Sequence, residues 1–309
     1  MTLSALSPET QALTRRVTAL SVAVAAVLIV VKTAAWWASG SVAMLASLSD
    51  SGLDLVASLI SFFAVRYAAA PPDAEHRFGH GKAEAFSSLM QGGLVFASGA
   101  LIGQEAIRAM FNPRPVEQGL LAMAVMVVSI VLTLGLIIAQ SKVLKSTGSI
   151  AVSGDRAHYA ADLGSNAVAL VGIGAAAFLG VGWLDAFAGL IVALWLIWGA
   201  IGVFREAASQ LMDRELPDED RARIVALATE DPRLLGVHQL RTRASGPYVH
   251  MQMHADLDAG ISLAEAHSIM VAAENRLLKA FPAADIIIHP DPRGQAESHG
   301  GLFAEAQHG

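Results

Sequence analysis

Six long apolar runs constrain this chain more than any other feature. A segment needs about 20 mostly apolar residues to cross a bilayer as a helix. Residues 14–36, 42–69, 83–110, 117–141, 150–181 and 184–206 each supply that length. Leu120 to Ile138 and Ala186 to Phe204 carry no charge at all. Composition agrees: 54% of the 309 residues are hydrophobic, 16% are charged, and the mean hydropathy is +0.51. A soluble domain is about 25% charged, so a disordered, collagenous or ordinary cytosolic chain is excluded. The reading is a membrane all-α domain of six helices.

Charge is spread unevenly. Residues 1–210 hold 12 Lys/Arg and 12 Asp/Glu, whereas residues 211–309 hold 9 and 15 and carry the whole net charge of −6. Seven of the 10 His lie in that second stretch. The expected division is an N-terminus over 1–13, a six-helix transmembrane domain over 14–210, a soluble domain over 211–292 and a flexible tail over 293–309. Arg15 and Arg16 ahead of an apolar run resemble a signal peptide, but Lys32 within the run and the lack of a clear small-residue cleavage site argue against one.

Lys/Arg counting assigns the faces. Arg15, Arg16, Arg66, Arg77, Lys82, Lys142, Lys145, Arg156 and Arg205 cluster on one side, against Arg108 and Arg114 on the other. The richer side is expected to be cytoplasmic, with both termini there.

The soluble domain reads α-β-β-α-β. Pro217 followed by Asp218, Glu219 and Asp220 starts a helix, with acids on the positive end of its dipole. That helix is expected to run to about Glu230. Val237 to Arg243 and Tyr248 to Leu257 read as strands joined through Ala244-Ser245-Gly246-Pro247. Ser262 to Ala280 is helical in period, and Asp285 to His289 is a short β-branched strand. The order suggests a small open-faced sandwich.

With no Cys in the chain, disulfides, thiolate metal sites and a Cys nucleophile are excluded, so metal chemistry must use His and carboxylates. No basic excess points to nucleic acid. Asp50 and Asp54 lie inside the second apolar run. A charged Asp near the bilayer centre costs about 2.5–3.5 kcal/mol on insertion scales. Their i, i+4 spacing stacks two like charges on one helix face, so a proton, a basic partner or a cation must neutralise them. His158 and Asp162 repeat the spacing in the fifth run. Two helices with two ligands each can close a tetrahedral site, which suits zinc. The alternative is a structural polar cluster near the interface.

In the loop between the second and third runs, Asp73, His76 and His80 stand at i, i+3, i+7, compatible with one metal, although the Pro-Pro start and the Gly residues equally fit a solvated loop. In the soluble domain His238 and His254 fall on strands, His267 on the helix, and His289 and Asp291 at the end of the last strand. His250 and His254 are four apart and share a strand face. His299 and His308 are given no role.

Six blocks in order resemble the cation diffusion facilitator family, within it the bacterial zinc/ferrous-iron efflux type. They are Trp36-Trp37 through Gly40-Ser41-Val42 before Asp50-x-x-x-Asp54; Phe78-Gly79-His80-Gly81-Lys82-Ala83-Glu84; Asp155-x-x-His158-Tyr159-x-x-Asp162; Leu211-Met212-Asp213-Arg214-x-Leu216-Pro217; Leu240-Arg241-Thr242-Arg243-x-Ser245-Gly246-Pro247; and Ile287-Ile288-His289-x-Asp291-Pro292. The resemblance covers essentially the whole chain. It implies a homodimer in the bacterial inner membrane with a metallochaperone-like cytoplasmic domain. It implies a transport site of Asp50, Asp54, His158 and Asp162, and a loop site of Asp73, His76 and His80. His238, His254, His267, His289 and Asp291 would form a binuclear site that stabilises the dimer. Lys82 and Asp213 would pair to interlock membrane and tail. His250 departs from the family's usual ligand positions.

The implied activity is proton-coupled export of a divalent cation: zinc or cadmium, with iron as a third candidate. Binding needs deprotonated carboxylates and a neutral imidazole, so protons and metal compete, with His158 the natural coupling group. There is no G-x-x-x-x-G-K-[ST] loop, so neither nucleotide nor ATP enters the reading. A membrane metalloenzyme is the first alternative, but H-E-x-x-H is missing. A membrane-anchored metal sensor without transport is the second.

Overall fold

The structure, a computed structural model, describes residues 8–40, 42–111, 120–179 and 183–295. The chain forms two compact units, Pro8–Ser209 and, among the described residues, 210–295.

The first unit contains α1 (Pro8–Ser39), α2 (Val42–Ala68), α3 (Lys82–Phe111), α4 (Leu120–Thr147), α5 (Ile150–Leu179) and α6 (Trp183–Leu211, whose last two residues pass into the second unit). Five of these are long and apolar enough to cross a membrane. The sixth, α5, has 30 residues but spends its first half on Asp155, Arg156, His158 and Asp162. The helices outrun the apolar segments, as α1 does from residue 14 back to Pro8, because backbone bonding continues where side chains turn polar. The expected starts at 1 and 117 and the end at 181 lie outside the described residues, as do Arg114, His299 and His308.

Large side chains face outward: Trp198 is 74% exposed and Leu101 66%. In lipid this is the stable arrangement, and the interior is instead built from small and polar groups. Val95 of α3, Ala161 of α5 and Leu196 and Ala200 of α6 form one buried cluster. Ala35, Met44 and Val125 join α1, α2 and α4 in another. Gly154 lets α5 approach α3 closely: a Cβ there would stand 2.9 Å from Ser88 Cα.

Buried hydrogen bonds tie the bundle together. Asp155 Oδ2 accepts from Ser21 Oγ at 2.6 Å and from Gln140 Nε2 at 2.8 Å. Tyr159 Oη lies 2.7 Å from Ser58 Oγ and donates to Ser21 O at 3.1 Å. Gln91 Nε2 donates to Ala57 O at 2.7 Å. Away from water each such bond spares an expensive unpaired polar group.

The second unit holds α7 (Asp218–Ala228), β1 (Gly236–Ser245), β2 (Tyr248–Leu257), α8 (Leu263–Ala280) and β3 (Ala284–Pro292). The sheet order is β1-β2-β3, with β1 and β2 antiparallel and β2 and β3 parallel. Gly246 turns the hairpin at φ +54. Ser262 caps α8 by accepting from Glu265 N–H. Val249, Met251, Met253, Ala255 and Leu257 alternate along β2 into the helix-covered core. The residues between them face the open side of the sheet. β3 runs past the expected end at His289 to Pro292. Its prolines lack an N–H, but β3 is an edge strand, and only one side of an edge must pair.

Candidate metal sites

Among the described residues, three groups of His and carboxylate each bring their ligand atoms within 4.8 Å of one another. The first lies inside the helical unit and joins Asp54 of α2 with His158 and Asp162 of α5. One helical turn separates His158 from Asp162, which stacks them on the α5 face turned to α2. His158 Nε2 lies 3.2 Å from Asp54 Oδ1 and 3.7 Å from Asp162 Oδ2. A tetrahedral ion with ligands at about 2.0–2.1 Å has ligand–ligand edges of about 3.3–3.4 Å. The three side chains are 13%, 5% and 25% exposed in chain order. His158 Nδ1 and Asp162 Oδ2 are buried without a hydrogen-bond partner. Asp50, one turn before Asp54 on α2, is exposed and is not in the group.

The second group is local. Asp73, His76 and His80 converge in the loop between α2 and α3. Asp73 Oδ1 lies 3.3 Å from His76 Nδ1, and Asp73 Oδ2 lies 3.2 Å from His80 Nε2. Asp73 Oδ1 also accepts the backbone N–H groups of His76 at 2.7 Å and Glu75 at 2.9 Å. Those bonds, the His76 amide first, hold the Asp73 carboxyl below its usual range and keep it an anionic ligand. His80 is the buried member, its ring 4.4 Å from that of Tyr67.

The third group, His238, His254 and Asp291, lies on the open side of the sheet, and His289 stands beside it without belonging to it. Register pairs His238 with His254 across β1 and β2, and His254 with His289 across β2 and β3. Their rings stand 5.3 and 4.8 Å apart. A β-bulge follows His238, with Gln239 at φ +51. Asp291 is the hub: its Oδ2 lies 2.8 Å from His254 Nδ1 and 3.2 Å from His238 Nε2, and its Oδ1 lies 3.3 Å from His289 Nε2. One carboxylate with ligands on both oxygens can bridge two ions.

Sequence reasoning did not single out Asp256, whose Oδ2 lies 3.5 Å from His238 Nδ1. Its signal was its place two residues after His254, on the same strand face. His267 lies exposed on α8 and is not in the group. His250 stands apart from the hub, with Nδ1 3.1 Å from Asp285 Oδ2, its register partner. Asp213 Oδ2 accepts from Arg243 Nη1 at 3.1 Å, and Lys82 opens α3.

Carboxylates and an imidazole converging inside apolar helices are a donor set that could hold a metal cation, and the sequence comparisons decide the family. Residues 18–212 match the model of the cation efflux transmembrane domain, and residues 216–293 match that of the cation efflux protein cytoplasmic domain. The chain belongs to the cation efflux family.

A cation-efflux pump FieF of Shewanella oneidensis is 43% identical over 272 residues, covering 88% of this chain and 92% of that one. FieF of Klebsiella pneumoniae is 37% identical, covering 91% and 93%. FieF of Cronobacter sakazakii is 38% identical, covering 87% and 89%. A solved zinc form of CzrB is 34% identical over 28% of this chain and 99% of its own, with a TM-score of 0.26. As a cation efflux protein, the chain is a multi-pass membrane transporter of metal cations rather than an enzyme.

Proposed function

We propose that the protein exports a divalent metal ion from the cytoplasm in exchange for protons, as a homodimer that alternates access across the inner membrane. Zinc is the first substrate, then cadmium, with iron the third candidate. The observation that carries this reading is the buried Asp54–His158–Asp162 group, with Nε2 3.2 and 3.7 Å from the two carboxylates. Asp50, one turn before Asp54 on the same helix, supplies the fourth ligand. One imidazole among carboxylates favours zinc over harder ions. Proton and metal compete for these atoms, so a proton gradient drives exchange.

The loop group Asp73, His76 and His80 is a second metal site facing the cytoplasm. In the tail, His238, His254, His267, His289 and Asp291 form a binuclear site, so that metal binding stabilises the dimer. The boundaries of the two domains fall near 14–210 and 211–292. Both termini are cytoplasmic.

The test is flux in proteoliposomes with and without an imposed pH gradient, using zinc, cadmium, iron and manganese. Zinc and cadmium uptake should follow the gradient. Flux indifferent to the gradient removes the antiport. Binding without movement of any of the four metals favours a membrane-anchored sensor.

A further inference from the structure

Lys32 lies in the apolar run of α1, seven residues before the helix ends at Ser39, and is 6% exposed. Its Nζ donates to Ser51 Oγ at 2.7 Å and to Ser47 O at 3.1 Å, both on α2. These partners are neutral, so they take two of its three donors and leave its charge unbalanced. A bare ammonium at that depth is as costly as a bare carboxylate. The balancing charges stand on the same helix: Ser47 is three residues before Asp50 and Ser51 three before Asp54, so both carboxylates share the α2 face that Lys32 meets, and Asp54 adjoins His158 and Asp162. Ser47 and Ser51 precede Asp54 on α2, so Lys32 lies beside the site toward the α2 N-terminus, the outer end in the proposed orientation.

We propose that Lys32 is the fixed countercharge of the transport site, an ammonium that limits how tightly its carboxylates hold a divalent ion and so lets the ion leave. This rests on the transport-site reading above. The charge balance supports it. Three carboxylates, a neutral imidazole and a divalent ion leave one negative charge buried; one ammonium cancels it. Without Lys32 the loaded site is anionic, and the same cation is held more strongly.

The measurement is zinc flux against zinc concentration in proteoliposomes of the full chain, comparing wild type with Lys32→Met, Lys32→Arg, Ser51→Ala and Asp54→Ala. Lys32→Met has the size of Lys without its charge and suits a membrane interior; Lys32→Gln serves as a second neutral variant. Both neutral variants should lower KM by about tenfold and lower maximal flux by a similar factor, because the ion enters readily and leaves slowly. Lys32→Arg keeps the charge and should restore both values to within about twofold of wild type. Ser51→Ala keeps the charge and loses one hydrogen bond, and its KM should stay near wild type.

An unchanged or raised KM in the neutral variants overturns the proposal. So does a Ser51→Ala phenotype matching theirs, which would make the hydrogen bond, not the charge, the cause. Asp54→Ala reports separately on the site itself: retained flux there removes the site reading, whatever Lys32 does.

Discussion

The helical site and the sheet site use the same ligand chemistry but are assembled in opposite ways. In the membrane unit two ligands come from one helix turn, and a single helix contact, α2 on α5, completes the group of Asp54, His158 and Asp162. In the soluble unit no two ligands of the His row are close in sequence. His238, His254 and His289 meet because three strands align in register, and Asp291 gathers them. The helical group tilts toward carboxylate and the sheet group toward imidazole. A site that must release its ion benefits from few ligands on helices that can part. A site that reports or stabilises benefits from a hydrogen-bonded sheet that holds three rings in place.

The comparison breaks first at Asp54. Asp54→Ala should reduce zinc flux by at least about a hundredfold, since even second-shell losses at metal sites cost 10–100-fold. The variant should still assemble on size exclusion, because the sheet site is untouched. Flux at the wild-type rate would mean the ion does not pass this site.

His158→Asp sharpens the chemical half. It keeps an i, i+4 pair but makes the site all-oxygen, so manganese-to-zinc uptake should rise on the order of tenfold. Uptake of zinc, cadmium and manganese by the two proteins in parallel checks this. Unchanged ratios would place selectivity elsewhere.

His254→Ala addresses the sheet site. Zinc should tighten self-association of residues 211–309, by mass action on the bound state. The variant should lose about tenfold of that gain in sedimentation. Equal association with zinc and with chelator would remove the tail's regulatory role.

The smallest effect is electrostatic and separates the tail's fold from its metals. Asp231 is held at about 2, chiefly by the Arg233 side chain and then by its backbone N–H. A depressed carboxyl adds stability above the unfolded value near ~3.9 and loses it as pH falls toward about 2. Asp231→Asn should lower the melting temperature of residues 211–309 by about 2 °C at pH 7, with the difference shrinking as pH falls toward about 2. Zinc binding should not change.

Much of this was legible beforehand because it is local. An i, i+4 pair of ionisable residues in an apolar run is readable from spacing, as in His158 and Asp162. So is strand parity, which put His250 and His254 on one face. The i, i+3 spacing made Asp73 and His76 candidate neighbours. What was not legible depends on contacts between distant segments. Nothing near His250 announced that it would pair with Asp285, 35 positions away, rather than join the His row. Gln239 carries no signal for φ +51, yet the bulge it forms follows His238. Lys32 entered the reading only as a charge unsuited to a signal peptide. Its position against Ser47 and Ser51 came from the packing of α1 on α2.

The sequence by itself determined the two-part architecture, six apolar runs and an acidic α-β-β-α-β unit, because hydrophobic length and residue period act within single segments. It also determined which residue types could hold metal, because a chain without Cys leaves only His and carboxylates. Tertiary structure alone decided which of them meet. It drew Asp54 to His158 and left Asp50 one turn away, made Asp291 the hub with Asp256 beside it, and set Lys32 against the α2 turns that carry Asp50 and Asp54. Those choices belong to helix contacts and strand register, which position atoms tens of residues apart to within an ångström and which no local pattern encodes.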